Sequence, residues 1–210
     1  SKQRKAASSC ALPTANTEQD LMRALRGHDS DVTNPFSQGS VSSCCMHYGG
    51  MVGDHTTASM VIRLDGGAPT VFLTGTSTPC VSLYKPYRFG NPARLPVVSP
   101  GDEAGARYWR EQEMFRRALV GKVVPAEFYA ERDALEQSWQ KDVSQDNASM
   151  DELLVRALAE EAAFYAKYDP ASFETAPVKK AFAENWQKKN AAFSSNSAKQ
   201  VKPQEQENQA

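Results

Sequence analysis

The chain has 210 residues, of which 40% are hydrophobic and 23% charged, and its formal net charge is −1. These figures fit one domain of ordinary size with a real core. They exclude the basic footprint of a nucleic-acid binder, and no run of about 18 apolar residues offers a membrane span. Neither nucleic acid nor membrane is therefore expected as a partner. Ser1 to Ser9 is basic and small but leads into no apolar run, so no signal peptide is read. The chain does not begin with Met and is expected to be processed or cut from something longer. Cys10, Cys44, Cys45 and Cys80 match no zinc spacing and are too sparse for a disulfide scaffold, so reduced thiols and a cytoplasmic location are expected.

Residues 1–16 read as a linker. Thr17 then N-caps a short helix, with Asp20 as the returning carboxylate, Leu21, Ala24 and Leu25 as its apolar face, and Gly27 as its stop. His28 to Gly39 carries loop residues. Residues 56–74 predict a β-hairpin. Met60, Ile62 and Leu64 fall on one face of its first strand, Asp65 to Pro69 supplies the turn, and Thr70 to Thr74 forms the second strand. Val81 to Lys85, bracketed by Pro79 and Pro86, reads as a third short strand or an extended segment.

Helices are expected over about 100–190. Ser99 and Pro100 begin the first, with Tyr108, Phe115 and Leu119 on one face and Gly121 closing it. The second follows Pro125 with a Phe128, Leu135, Trp139 stripe. The third starts at the capping box Ser149 to Glu152 and carries Leu154, Leu158, Ala162 and Tyr165, ending at Pro170. A last pattern runs from about Pro177 to Asn190. Residues 191–210 read as a disordered tail, since from Ser194 onward the chain is polar and has no aromatic residue.

The densest polar segment is Cys44 to Thr57, with His47, Asp54, His55 and several glycines. It suits four uses. A Cys–His pair would act as nucleophile and base if the fold joined them. A metal site would draw on His47, Asp54 and His55, although sequence neighbours such as Asp54 and His55 rarely aim at one ion. A substrate-lining loop would use His47, Asp54 and Thr57 as polar contacts. The simplest use is a Gly-rich connection into the first strand. Thr74 to Cys80, including Thr76, is either a backbone cradle for an oxyanion or carboxylate, or a tight connection between strands. Cys80 has nothing basic beside it in sequence until Lys85, so it is not taken as a nucleophile. In Tyr108 to Arg117 the acids Glu111 and Glu113 alternate with arginines, which reads as a solvated charged face. No metal and no cofactor is expected.

Three ordered motifs carry a resemblance. Ser43-Cys44-Cys45-Met46-His47, followed by Thr56-Thr57-Ala58-Ser59-Met60-Val61, resembles the secernin pattern V-C-M-H … T-T-x-S-M-V. Phe72 to Pro86 resembles the same family's T-G-T … P-x-x-S-x-F-K-P, and Tyr108-Trp109-Arg110-Glu111 to Arg117 is similar to its W-W-R-x-E … H-R. The match covers about Thr17 to Leu158. The resemblance implies a cysteine-type dipeptidase of the N-terminal-nucleophile hydrolase group, with a four-layered αββα fold and an N-terminal Cys whose own α-amino group is the base. The expected fold class is thus α+β: residues 17–190 as the C-terminal portion of that fold, followed by a helical region. Ser1 precedes Lys-Gln-Arg-Lys-Ala-Ala rather than a strand, and no cysteine starts the chain, so the nucleophile is expected on a missing upstream segment of the same domain. Short peptides are the expected substrate, with His47, Asp54, Thr57 and Thr76 as candidate contacts. The alternative is a non-catalytic secernin-like interaction protein linked to secretion.

Overall fold

In a computed structural model of the chain, the described residues are 2–49, 55–88, 103–145 and 149–200. The fold is α+β. Helix α1 spans Lys2–Ala11, α2 Glu18–Leu25 and the single-turn α3 Pro35–Gln38. Strands β1 Met60–Arg63, β2 Thr70–Leu73 and β3 Lys85–Arg88 follow, then α4 Glu103–Ala118, α5 Ala126–Gln145, α6 Met150–Lys167 and α7 Lys180–Gln200. Among the described residues no helix is long and apolar enough to cross a membrane.

Local chemistry starts the helices where the sequence predicts. Thr17 accepts the Asp20 N–H while the Asp20 carboxylate takes the Thr17 N–H, and Ser149 and Glu152 repeat this reciprocal cap on α6. The strands form one antiparallel sheet in the order β1-β2-β3, with Val61 opposite Phe72 and Phe72 opposite Pro86. Its central strand is buried, with Val71 and Phe72 fully covered. Helix α2 packs beside β1, and α6 lies against β3. The core continues into α5 and α6 through Phe128, Trp139, Leu153 and Phe164, where Phe128 and Phe164 tilt together at 4.7 Å. A smaller cluster of Tyr48, Phe182 and Trp186, with Val120 against it, docks α7.

Several expectations shift. In β1 the buried side chain is Val61, whereas Met60, Ile62 and Leu64 are 53%, 43% and 78% exposed. The strand therefore turns its more apolar face away from the core that Val61 joins, and Met60 and Ile62 share an open groove with Leu21 and Leu25 of α2. The third strand begins at Lys85 rather than ending there, since Pro79–Val81 winds into a single 3-10 turn. Pro86 is tolerated because β3 is an edge strand, where a missing N–H need not break a ladder. On α6 the buried stripe is Leu153, Leu154, Ala157, Glu161 and Phe164, displaced from the expected one, and Ala162 is exposed. Helix also occupies Lys2–Ala11 and continues through Gln200, over parts read as linker and tail. Neither stretch contains Pro or Gly, and alanines favour helix without tertiary contacts. The expected helix start at Ser99 and Pro100 lies outside the described residues, as do residues 201–210.

Buried charge organises the connection between β2 and β3. The Arg26 guanidinium pairs with both Glu136 oxygens at 2.5 and 2.8 Å, and Glu136 also accepts the Tyr84 N–H at 2.7 Å. Lys85 meets Glu161 at 2.6 Å, and the Tyr108 hydroxyl donates to the other Glu161 oxygen at 2.6 Å. These cations also satisfy backbone carbonyls. Lys85 donates to Thr74 and Leu83, Arg116 to Ser77, Arg26 to Pro79 and Ser82, and Arg132 to Cys80. A loop inside the protein would otherwise leave those oxygens without partners, which costs about 1–3 kcal/mol each. The expected solvated face of α4 is thus corrected: Glu113 and Arg116 are buried, Arg116 because it holds this loop.

Candidate functional site

The site is assembled from three segments that follow different elements. Helix α2 ends at Arg26, and the chain turns through Gly27 to His28. Residues 40–47 fold back beside it: the Cys45 N–H donates to the Gly27 carbonyl at 3.1 Å, and the Asp29 N–H to the Ser43 hydroxyl at 2.7 Å. Ser40 and His47 exchange both backbone hydrogen bonds, at 2.9 and 3.0 Å. This closure brings the Gly39 and Gly49 backbones together. A Cβ on Gly39 would sit 2.3 Å from the Gly49 Cα, and Gly39 has φ +74°, so only glycine fits. The third segment enters through Thr78, whose N–H donates to the Thr56 carbonyl at 2.9 Å. Thr78 has φ 60° and ψ 68°, a strained left-handed conformation for a β-branched residue. The 3-10 turn after it points Cys80 inward.

The result is a compact cluster of His28, Cys45, His47 and Cys80, whose four nitrogen and sulfur atoms all lie within 4.8 Å of one another. The His47 Nε2 is 3.2 Å from His28 Nε2, 3.5 Å from the Cys45 sulfur and 3.3 Å from the Cys80 sulfur. Phe36 packs edge-on against the His47 ring at 4.8 Å. Burial opposes ionisation of Cys80. The hydrogen bond from Cys45 and the neighbouring His47 and His28 rings outweigh it and hold this thiol well below its usual range. Burial pushes the Cys45 thiol well up, and its bond to Cys80 adds to the rise. The pair thus favours one thiolate and one thiol. The sequence argument that nothing basic stands near Cys80 is corrected, since the fold supplies His47 from a distant segment.

Beside the cluster runs a narrow cleft whose lining includes His47, His55, Thr78, Glu113, Arg116, Arg117 and Trp186. Its free volume is about 10 Å³, roughly that of a single water site. The Tyr48 N–H donates to His55 Nδ1 at 3.2 Å, so His55 carries its proton on Nε2 and donates to the Thr78 hydroxyl at 2.9 Å. Burial, then the adjacent His47, lowers the pKa of His55 to about 4, keeping the ring neutral at neutral pH. Glu113 accepts the Ser77 hydroxyl at 2.6 Å and pairs with Arg117 at 2.8 Å. Among the described residues the Trp186 indole N–H has no acceptor.

Of the residues picked out by sequence, His47 belongs to both the cluster and the cleft wall. Thr76 is buried close by, but its hydroxyl accepts from Arg116 at 2.9 Å and does not line the cleft. Thr57 is exposed on the extended run before β1, apart from the cleft. Asp54 lies outside the described residues. Sequence reasoning passed over His28, which sits in a stretch of loop residues with no periodic signal. It also passed over Glu113 and Arg116 as site residues, because charge on a helix reads as solvated. Compared with family models, with curated protein sequences and with solved structures, the chain matches none.

Proposed function

We propose that the chain is the C-terminal portion of a secernin-like cysteine dipeptidase, acting on short peptides in the cytoplasm, with the nucleophilic cysteine on an upstream segment. The observation that carries the reading is a convergence. His47 from the first resembling motif, His55 from the loop between its two halves, Thr78 from the second, and Glu113, Arg116 and Arg117 from the third line one cleft, although the three motifs are far apart in sequence. A peptide terminus suits such a wall: an indole N–H without an acceptor and guanidinium groups can receive a carboxylate. The outward face of Met60, Ile62 and Leu64 also supports it, because a four-layered αββα fold needs a second layer of strands against the first.

The size of the cleft favours the second reading, a non-catalytic interaction protein, since about 10 Å³ admits water and not a dipeptide. One experiment separates the two. The chain joined to the segment encoded upstream of it should hydrolyse dipeptides, and alkylation or replacement of the upstream N-terminal cysteine should abolish the activity. A joined protein that is well folded and inert toward a dipeptide library would leave the interaction reading in possession.

A further inference from the structure

The four converging side chains at the end of α2 fit a metal ion better than they fit one another. His47 Nε2 has three neighbours, at 3.2 Å (His28 Nε2), 3.5 Å (Cys45 Sγ) and 3.3 Å (Cys80 Sγ). An imidazole nitrogen offers either one lone pair or one N–H, so it cannot satisfy three such neighbours by hydrogen bonds. A single cation at the centre satisfies all four atoms at once. With zinc–sulfur bonds of about 2.3 Å and zinc–nitrogen bonds of about 2.0 Å, the edges of a ligand tetrahedron are roughly 3.3 to 3.8 Å. Two of the three distances at His47 fall at that scale and the third is just below it.

We propose that His28, Cys45, His47 and Cys80 form a tetrahedral structural zinc site. The donor set is two sulfurs and two imidazole nitrogens, which selects zinc among common divalent ions. All four coordination positions come from the protein, and Cys45, His47 and Cys80 are buried, so no position opens to substrate. The role is mechanical. The ion ties the turn after α2, the Ser40–His47 loop and the 3-10 turn after β2 to one point. This site does not depend on the peptidase reading. It also separates Cys80 and His47 from a nucleophile–base pair, which would need a sulfur open to substrate.

The test uses the full chain, purified after growth with added zinc and freed of loosely bound metal. Elemental analysis should find about one zinc per chain. Replacing zinc with cobalt should produce the intense visible and sulfur-to-metal bands of tetrahedral thiolate-bound cobalt. A strong chelator should lower the melting temperature by several degrees, because binding energy at a structural site is folding energy. Cys80→Ser and His28→Ala should each reduce bound zinc about tenfold or more. Should either variant fail to fold, the cobalt spectrum of the unaltered chain decides alone. A cooperatively melting chain with only trace zinc, or cobalt bound with a weak octahedral spectrum, overturns the proposal.

Discussion

The connection between β2 and β3 and the outer face of β1 adjoin one another and solve opposite problems. The connection buries polar backbone, and meets it with cations: Lys85, Arg116, Arg26 and Arg132 take the carbonyls of Thr74, Leu83, Ser77, Pro79, Ser82 and Cys80. The outer face of β1 exposes apolar side chains, Met60, Ile62 and Leu64, to water. The first region is satisfied by buried partners and the second is open to solvent, and the difference teaches where the chain's stability resides. Charged side chains hold it together near the candidate site, and a hydrophobic strip remains available for cover.

The comparison breaks most directly at Glu136. Glu136→Ala leaves Arg26 buried without its carboxylate and the Tyr84 N–H without an acceptor. The expected loss is about 3–5 kcal/mol in urea denaturation. A loss below about 1 kcal/mol would mean that the pair is hydrated and the connection is not charge-held.

Next in size is Gly39→Ala. The added Cβ meets the Gly49 backbone, and a positive φ adds strain, so about 2 kcal/mol or more should go, with the Cys45–His47 loop displaced. An unchanged melting curve would show that the two loop arms part easily.

The other region should behave in the opposite way. Ile62→Lys together with Leu64→Lys should change the stability of this chain by no more than about 0.5 kcal/mol and raise its solubility. If the proposed reading holds and an upstream segment covers the strip, the same pair in the joined protein should cost several times more. Equal effects in both proteins would argue against such cover.

The smallest expected effect is at the helix caps. Hydrogen bonds from Thr17 and from the Asn16 and Thr17 backbone lower the pKa of Asp20 below 3.8, and Ser149 lowers that of Glu152 below 4.5. Because the folded values lie below the unfolded ones, the stabilisation is complete above those ordinary values. It is lost as the pH falls through the lower, folded ones. Helical circular dichroism should therefore decline over that acidic window. Asp20→Asn and Glu152→Gln should flatten the decline, and an identical pH profile in both variants would remove the caps as its cause.

How much was legible differs between the same two regions. The hairpin could be read because Asp65 to Gly67 is turn chemistry between β-branched runs, and the capping boxes because their spacing is local. The orientation of β1 could not. Alternation defines two faces, and only the position of the main core decides that Val61 goes inward. The charged connection was hidden for a related reason: Glu113 and Arg116 look like surface charges until their partners, more than thirty residues away, are known. The His28, Cys45, His47 and Cys80 cluster was invisible to spacing rules, because its members sit in three segments brought together by tertiary folding alone. His47 was found as a candidate through its polar surroundings, not through its neighbours in space.

The attachment of α7 has a consequence for the cleft it covers. The helix is docked through Phe182 and Trp186, packed with Tyr48 and Val120 in a cluster separate from the main core. Arg117 adds contacts to the Lys189 carbonyl and to Asn190 near its middle. A unit held by so few buried side chains opens at a free energy well below that of global unfolding. The amides of α7 should then exchange with solvent while those of α5 and α6 stay protected. The cleft's outer wall would come and go as a subglobal opening, and entry beside His55 would be set by the local stability of one helix rather than by the resting width of the gap.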